Sequence, residues 1–257
     1  MKALSFLSPL FRFRRPVKTL APHSAYELWA RTYDQRDTNA LLQAEEQAML
    51  PILRSMAIAG KKVADVGCGT GRYLRHCSDA GASHLVGVDF SRQMLLATKN
   101  KGIDPACLLC ESSIEALPLR TAWFDVVIST LVLAHLPSFQ RAVHEMSRVL
   151  KPRGFLVLSD FHPENLKRNW KRTFAGGNDR HSGRRFAAES YHHPIEEYRE
   201  EFRRQDLHVD RFLQPAIDPS LEPLFQKAKA SHIYRQFFGT PILIIFLLRK
   251  LEPGHTQ

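Results

Sequence analysis

The sequence predicts an α/β fold in which a mostly parallel sheet carries helices on both faces. Three observations predict it. Short apolar runs of strand length alternate with longer amphipathic stretches. Glycine and proline punctuate the junctions. A glycine cluster, Gly67-Cys68-Gly69-Thr70-Gly71, follows an early apolar run, where a strand must turn sharply into a helix.

The elements follow in order. Residues 24–53 read as one or two helices, rich in Ala and Leu, with Glu45, Glu46 and Gln47 on the polar side. Residues 62–66 form a buried strand, 72–80 a helix, and 85–89 a second strand, with Gly81 ahead of it and Gly87 within it. Ser91 caps a helix that runs to residue 99. Strands follow at 106–111 and 124–129. A helix over 139–150 stops before Pro152, and 154–159 is a strand. After Asp160 the pattern weakens. Residues 161–194 are polar and rich in His, Arg and Gly. A charged helix at 195–205, a strand at 209–217, a helix or loop at 221–237 and a strongly apolar strand at 241–248 complete the chain.

The chain has 257 residues and is 44% hydrophobic, enough for one domain with a substantial core. The apolar run at 241–248 is far shorter than the about 20 residues a membrane-spanning helix needs. Lys and Arg number 36 against 26 Asp and Glu, a formal charge of +10. Nucleic acid, a membrane surface or an acidic substrate would each suit that balance, and so would solubility alone. Much of the excess is local. Residues 1–25 carry Lys2, Arg12, Arg14, Arg15 and Lys18 and no acid, and a second basic stretch runs over 167–185. The first segment has two readings: a basic tail, or a foot on a membrane surface through Phe6, Phe11 and Phe13. No secretory signal peptide is visible, so a cytoplasmic setting with reduced thiols is expected. Cys107-Leu-Leu-Cys110 reads as part of a strand. A zinc site needs about two further ligands, and none stands near in sequence, so no metal is expected.

The chemistry concentrates at Asp65-Val-Gly67-Cys-Gly69-Thr-Gly71. Glycines allow the backbone to approach a ligand, and the helix that follows offers free N–H groups. Asp89 ends the next strand, 18 positions after Gly71, where an acid can take both ribose hydroxyls of an adenosine cofactor.

Residues 63–71 resemble motif I of the class I S-adenosylmethionine-dependent methyltransferases, in the small-molecule branch that includes ubiquinone, menaquinone and biotin pathway enzymes. The likeness continues through Gly87-Val-Asp89-Phe-Ser91, Ala116-Leu-Pro118, Phe124-Asp125-Val-Val and Arg148-Val-Leu-Lys-Pro-Arg-Gly154, covering roughly residues 26–160. It implies a Rossmann-like, seven-stranded fold. Residues 1–23 would be a basic apolar tail and 24–257 the methyltransferase domain, with 161–194 inserted at the acceptor site.

The resemblance also assigns roles. Gly67, Cys68 and Gly69, with Gly71 completing the loop, would cradle the methionine part and ribose, and Asp65 would orient the amino group. Asp89 would hold the ribose, with Phe90 and Met94 against the adenine and Ser113 and Ile114 at its edge. Thr130 and Leu131 would line the methionine side. Tyr26, Arg31 and Tyr33 resemble a segment that closes over the cofactor. His135 matches a histidine common in the family just past the fourth strand. Its ordinary pKa suits proton transfer, and the alternative is a wall residue. Two departures stand out: Ser113 replaces a frequent acid, and Arg153 replaces the first glycine of Gly-Gly after Lys-Pro.

His162, His181, His192 and His193, with Arg180, Arg184 and Arg185, could form an acceptor lid favouring an anionic or polar substrate, or a solvated face. The reading is therefore methyl transfer from S-adenosylmethionine to a small molecule, hydrophobic or anionic. A nucleic-acid methyltransferase and a non-catalytic cofactor-binding partner subunit are the alternatives. Against the first, the sequence has no Asn/Asp-Pro-Pro-Tyr/Phe tetrad and no Pro-Cys nucleophile. Against an NAD-dependent oxidoreductase stands the Gly-x-Gly-x-Gly spacing.

Overall fold

The computed structural model describes residues 17–34, 39–103, 106–167, 170–175 and 185–252. Among them are ten strands: β1 Lys18–Leu20, β2 Lys62–Val66, β3 His84–Asp89, β4 Leu108–Glu111, β5 Phe124–Thr130, β6 Leu150–Phe161, β7 Thr173–Ala175, β8 Arg185–Ala188, β9 Leu207–Leu213 and β10 Leu243–Lys250. The helices are α1 Pro22–Trp29, α2 Ala40–Ser55, α3 Arg72–Asp79, α4 Arg92–Lys99, α5 Gln140–Val149, α6 Pro163–Lys167, α7 Ile195–Arg204, α8 Glu222–Lys227 and α9 Ser231–Phe237.

Seven strands form one sheet in the order β4-β3-β2-β5-β6-β10-β9. Pairing is parallel from β4 through β6, and β10 runs antiparallel to both its neighbours. The two faces are read off the alternation of side chains. Val127 of β5 and Ile244, Phe246 and Leu248 of β10 bury against α5 and α7. Val126 and Ile128, with Ile245 and Leu247, bury against α2 and α3. Because strands covered on both faces are apolar on both, they read as continuous runs in the sequence. The strand order reverses between β2 and β5. At such a switch point the loops after the carboxyl ends part, and a crevice opens.

Two of the motifs have mechanical explanations. Arg148 on α5 pairs bidentately with Glu145, and its Nη1 and Nη2 donate to the carbonyls of Leu119 and Leu117 at 2.9 Å each. Glu145 also accepts from Leu117 N–H at 2.7 Å. This clamp fixes the loop after β4 that carries Ser113 and Ile114. Arg153 stands at φ 64, a left-handed backbone. Side chains other than glycine adopt it at a cost, which accounts for glycine being usual there. The strand it interrupts is longer than the expected 154–159: the turn is absorbed as an irregularity in the β5–β6 register between Phe124 and Val126.

Two expectations need correction. The segment to residue 23 is not a tail throughout: Lys18–Leu20 pairs in parallel with Arg185–Ala188, and α1 begins at Pro22. Residues 161–194 are not merely irregular, for they contribute α6, β7 and β8. With β1, the last two make a separate three-stranded sheet. That sheet packs on α1 through Phe174, Ala188, Trp29 and Tyr26, forming a cap over the carboxyl edge of the main sheet. Phe6, Phe11, Phe13, Arg180, His181 and Arg184 lie outside the described residues. No described helix is long and apolar enough to cross a membrane.

Candidate functional site

The glycine loop leaves the end of β2 and is tied to β3, since the N–H groups of Gly67 and Cys68 both donate to Val88 O, at 2.7 and 2.9 Å. Gly67 has φ +77, and a Cβ there would fall 2.4 Å from Val132 Cγ2. Both facts demand glycine. Asp89, at the end of β3, accepts from Gly69 N–H at 2.8 Å through Oδ2 and from Ser91 N–H at 2.9 Å through Oδ1. A carboxylate has about four lone-pair sites, so two remain for hydroxyl donors. Burial pushes the Asp89 carboxyl up to about 6, against the backbone N–H groups that lower it.

A cavity of about 310 Å³ opens over this loop. Gly67, Gly69 and Asp89 form its floor, Phe90, Ser113 and Ile114 one wall, and Thr130 and Leu131 another. Tyr26, Tyr33 and His135 complete it from the cap side. Leu131 is held at φ 59, and such backbone strain gathers at functional sites.

Five of the expected residues do not line this space. Cys68 turns inward, its Sγ beneath Gly87. Gly71 caps α3 at φ 75 and packs on Thr98. Met94 is fully buried with Tyr26 and Trp29 behind the wall. Arg31 is exposed on the short turn Ala30–Thr32, pointing away because Tyr26, Trp29 and Ala30 take the inward positions.

Asp65, the fifth, lies under the loop, 1% exposed, with neither carboxylate oxygen hydrogen-bonded. Burial raises its pKa to about 8. The nearby Arg72 offsets only part of this, since it is engaged by the buried Glu45. A partly compensated acid beneath the loop suits a ligand that brings a cationic ammonium group, and Asp89 suits a ribose diol. The residues therefore fit S-adenosylmethionine: Asp89 would take the ribose, Gly67 and Gly69 the backbone cradle, Ser113 and Ile114 the adenine edge, and Asp65, from beneath the loop, would act on the ammonium through its charge.

Tyr26 donates its O–H to His135 Nε2 at 2.7 Å. His135 Nδ1 lies 2.6 Å from Glu189 O. A carbonyl only accepts, so Nδ1 carries the proton and Nε2 is the acceptor. Burial pushes the His135 pKa down to about 4, and the positive charge of Arg172 acts in the same direction. The Tyr26 hydroxyl is raised well above its ordinary range by burial and by Tyr33. At neutral pH both groups are uncharged. The turn carrying His135 is held by Asp160, which accepts from Ala134 N–H at 2.7 Å and from Tyr198 O–H at 2.9 Å.

Sequence reasoning did not find the cap's fastenings. Ser91 Oγ donates to Glu27 Oε1 at 2.7 Å, and Thr70 Oγ1 to Asp34 Oδ1 at 2.7 Å. They tie the segment containing Tyr26 and Tyr33 to the cofactor loops. Nor did it find Ala21, Pro22, His23, Val132 and Leu136 on the cavity wall. Val132 and Leu136 adjoin predicted residues, which was the available signal. Two of the expected lid histidines have structural partners: His193 Nε2 donates to Leu136 O at 2.8 Å, and His162 Nε2 meets Gln214 Oε1 at 3.0 Å. His192 is exposed, and Arg185 bonds Thr173 within the cap sheet. Cys107 and Cys110 pack toward opposite faces of the sheet. Among the described residues no three His, Cys, Asp or Glu gather to hold a metal.

Residues 64–158 match the family described as methyltransferase domain. The chain is 32% identical over 198 residues to the malonyl-[acyl-carrier protein] O-methyltransferase of Enterobacter lignolyticus, covering 76% of this chain and 74% of that protein. The chain belongs to the class I S-adenosylmethionine-dependent methyltransferases. This methyltransferase is also 34% identical over 116 residues to the human protein named "Probable tRNA methyltransferase 9B", which covers 44% of this chain but spans only 24% of that protein's length. In structure the methyltransferase resembles the S-adenosylmethionine dependent methyltransferase of Mesorhizobium loti, with TM-score 0.60, 20% identity and coverage of 78% and 96%. That likeness concerns the fold.

Proposed function

We propose that this methyltransferase acts on a small-molecule acceptor seated against Tyr26 and His135. One observation carries the reading: the Tyr26–His135 hydrogen bond of 2.7 Å stands in the wall of the same cavity as Gly67, Gly69 and Asp89. The cofactor supplies an already activated methyl on a sulfonium. The protein's task is then to align an acceptor atom with that methyl and to keep water away, and alignment alone can supply much of the rate. Asp89 and the glycine loop set the cofactor's place. His135, pinned by Glu189 O, orients Tyr26. With its proton given to His135, the Tyr26 oxygen accepts from an acceptor O–H or N–H and turns the acceptor's lone pair inward. Because His135 stays neutral, no fixed positive charge on it opposes the cationic methyl donor. His135 acts as a positioning residue in this scheme, through Tyr26, rather than as the base.

The Enterobacter relative's name gives a first acceptor to try. The nucleic-acid reading rests on the net charge and on a likeness limited to a quarter of the tRNA relative's length. Contact with membranes rests on residues 1–16, outside the described residues. The purified chain incubated with methyl-tritiated S-adenosylmethionine, offered malonyl-acyl carrier protein, a small-metabolite extract and total tRNA in parallel, decides between them. Label in either of the first two supports the proposal. Label only in tRNA overturns it.

A further inference from the structure

One buried cation on the acceptor side is unused. Arg172 is 7% exposed, yet its Nε and Nη2 have no hydrogen-bond partner. Nη1 alone is engaged, donating to Tyr33 Oη at 3.1 Å. The guanidinium lies 4.4 Å from the Trp29 ring centroid and 4.7 Å from that of Tyr33, so two aromatic faces fix its plane. A buried donor left unmade is costly, and a buried charge far more so, unless a partner arrives.

Nε and Nη2 form the side-on edge of a guanidinium, which presents two parallel N–H donors to the two oxygens of a carboxylate. The chain uses this edge elsewhere. Arg249 holds Asp210 through Nε and Nη2 at 3.0 Å each, and Arg148 holds Glu145 through the same atoms at 2.7 and 2.8 Å. At Arg172 the same two donors meet no acceptor among the described residues.

The surroundings say where an acceptor comes from. Arg172 lines a small cavity of about 20 Å³ with Phe161, Trp170, Asn165 and Ser190. Asn165 Oδ1 is also unpartnered, and its orientation is fixed because Nδ2 donates to Pro241 O at 2.8 Å. The small cavity adjoins the large one: Ser190 Oγ lies 3.4 Å from His135 Nδ1, and Tyr33 links Arg172 to the large cavity's wall. A space that holds roughly one water-sized group suits a planar carboxylate better than a tetrahedral phosphate.

We propose that Arg172 is the specificity residue for the methyl acceptor, which carries a carboxylate that docks on its Nε–Nη2 edge. This deepens the small-molecule reading above and rests on it. Arg172 is distant in role from cofactor binding, so the two can be tested apart. The probes are hexanoate, hexanamide and hexyl phosphate, titrated calorimetrically into wild type, Arg172→Lys and Arg172→Met, each saturated with S-adenosylhomocysteine. Wild type should bind hexanoate at least tenfold more tightly than hexanamide or hexyl phosphate. Both variants should bind S-adenosylhomocysteine as wild type does and lose hexanoate at least tenfold. Lysine fails despite its charge because it lacks the fork. Equal binding of hexanoate and hexanamide by wild type, no hexanoate binding, or unchanged binding in the variants overturns the inference. Preference for hexyl phosphate overturns the carboxylate assignment. Failure of wild type to bind S-adenosylhomocysteine is a different result: it strikes the methyltransferase reading itself.

Discussion

Replacing Tyr26 by Phe isolates one atom of the proposed site. The ring is 9% exposed and packs at 5.3 Å from His135 and 6.1 Å from Phe90, and phenylalanine keeps both contacts. Only the O–H is lost, and with it the 2.7 Å hydrogen bond. His135 Nε2 then faces an apolar ring as an unsatisfied acceptor, at a cost of about 1–2 kcal/mol. For a chain of this size each kcal/mol shifts the melting temperature by about 2–4 °C, so Tm should fall by about 2–8 °C. The affinity for S-adenosylhomocysteine should stay within about threefold, since Asp89 and the glycine loop are untouched. Methyl transfer to whichever acceptor the labelling experiment identifies should lose kcat by about tenfold or more, in keeping with the size of proton-positioning effects. Calorimetry gives the first two quantities and initial rates the third. A variant that melts with wild type, or turns over at the wild-type rate, refutes the role given to the Tyr26–His135 pair.

Three further outcomes are expected. The His135 ring should show a protonated Nδ1 and no titration between pH 5 and 8 by nitrogen NMR, because its pKa is lowered to about 4; a midpoint near 6.5 contradicts the burial argument. Arg153→Gly should stabilise the protein by about 0.5–1 kcal/mol, since it removes a left-handed non-glycine residue at a modest entropic cost; its exposed ion pair with Glu252, at 3.7 Å, is worth little, and a lower denaturation midpoint rejects the account of the Lys-Pro-Arg turn. Asp65, raised to about 8, is mostly protonated at pH 7 before ligand arrives; a bound ammonium favours the ionised form, so cofactor binding should release close to one proton. Titrations in phosphate and in Tris at pH 7 should differ by that proton's ionisation heat, and Asp65→Asn should abolish the difference.

What the sequence made legible follows from the range of the interactions involved. Lys62–Val66 is found at its observed bounds because a doubly covered strand buries Val63, Ala64 and Val66 in one short run, with Asp65 its one buried polar residue, and a glycine ends it. Ser91 is a visible cap because its Oγ accepts from Met94 N–H three positions on, a local event. The small sheet is the opposite case. Lys18 pairs with Phe186, far along the chain, and strands of three or four residues leave no periodicity to detect. In the site, the glycine loop and Asp89 carry their chemistry in their spacing. Arg31 and Arg172 show the limit. Both stand in the sequence between aromatic residues, with a threonine following, and only the packing of α1 and the cap sends one outward and buries the other between Trp29 and Tyr33. Arg153 is intermediate: its departure from a glycine pattern was visible, and the positive φ gives the departure its physical meaning.

The central claim is that Asp89, poised by Gly69 and Ser91 at the end of β3, holds the ribose of S-adenosylmethionine. Calorimetric titration of S-adenosylhomocysteine into wild type and Asp89→Ala at pH 7.5 tests it most directly. Two hydrogen bonds to a charged group, at about 1.5–3 kcal/mol each, predict a loss of at least about 100-fold in affinity. The same reasoning predicts that wild-type affinity falls as pH drops through about 6, where Asp89 takes up a proton. Micromolar binding by wild type with that loss in the variant is the predicted result. Equal binding by the two proteins would contradict the account.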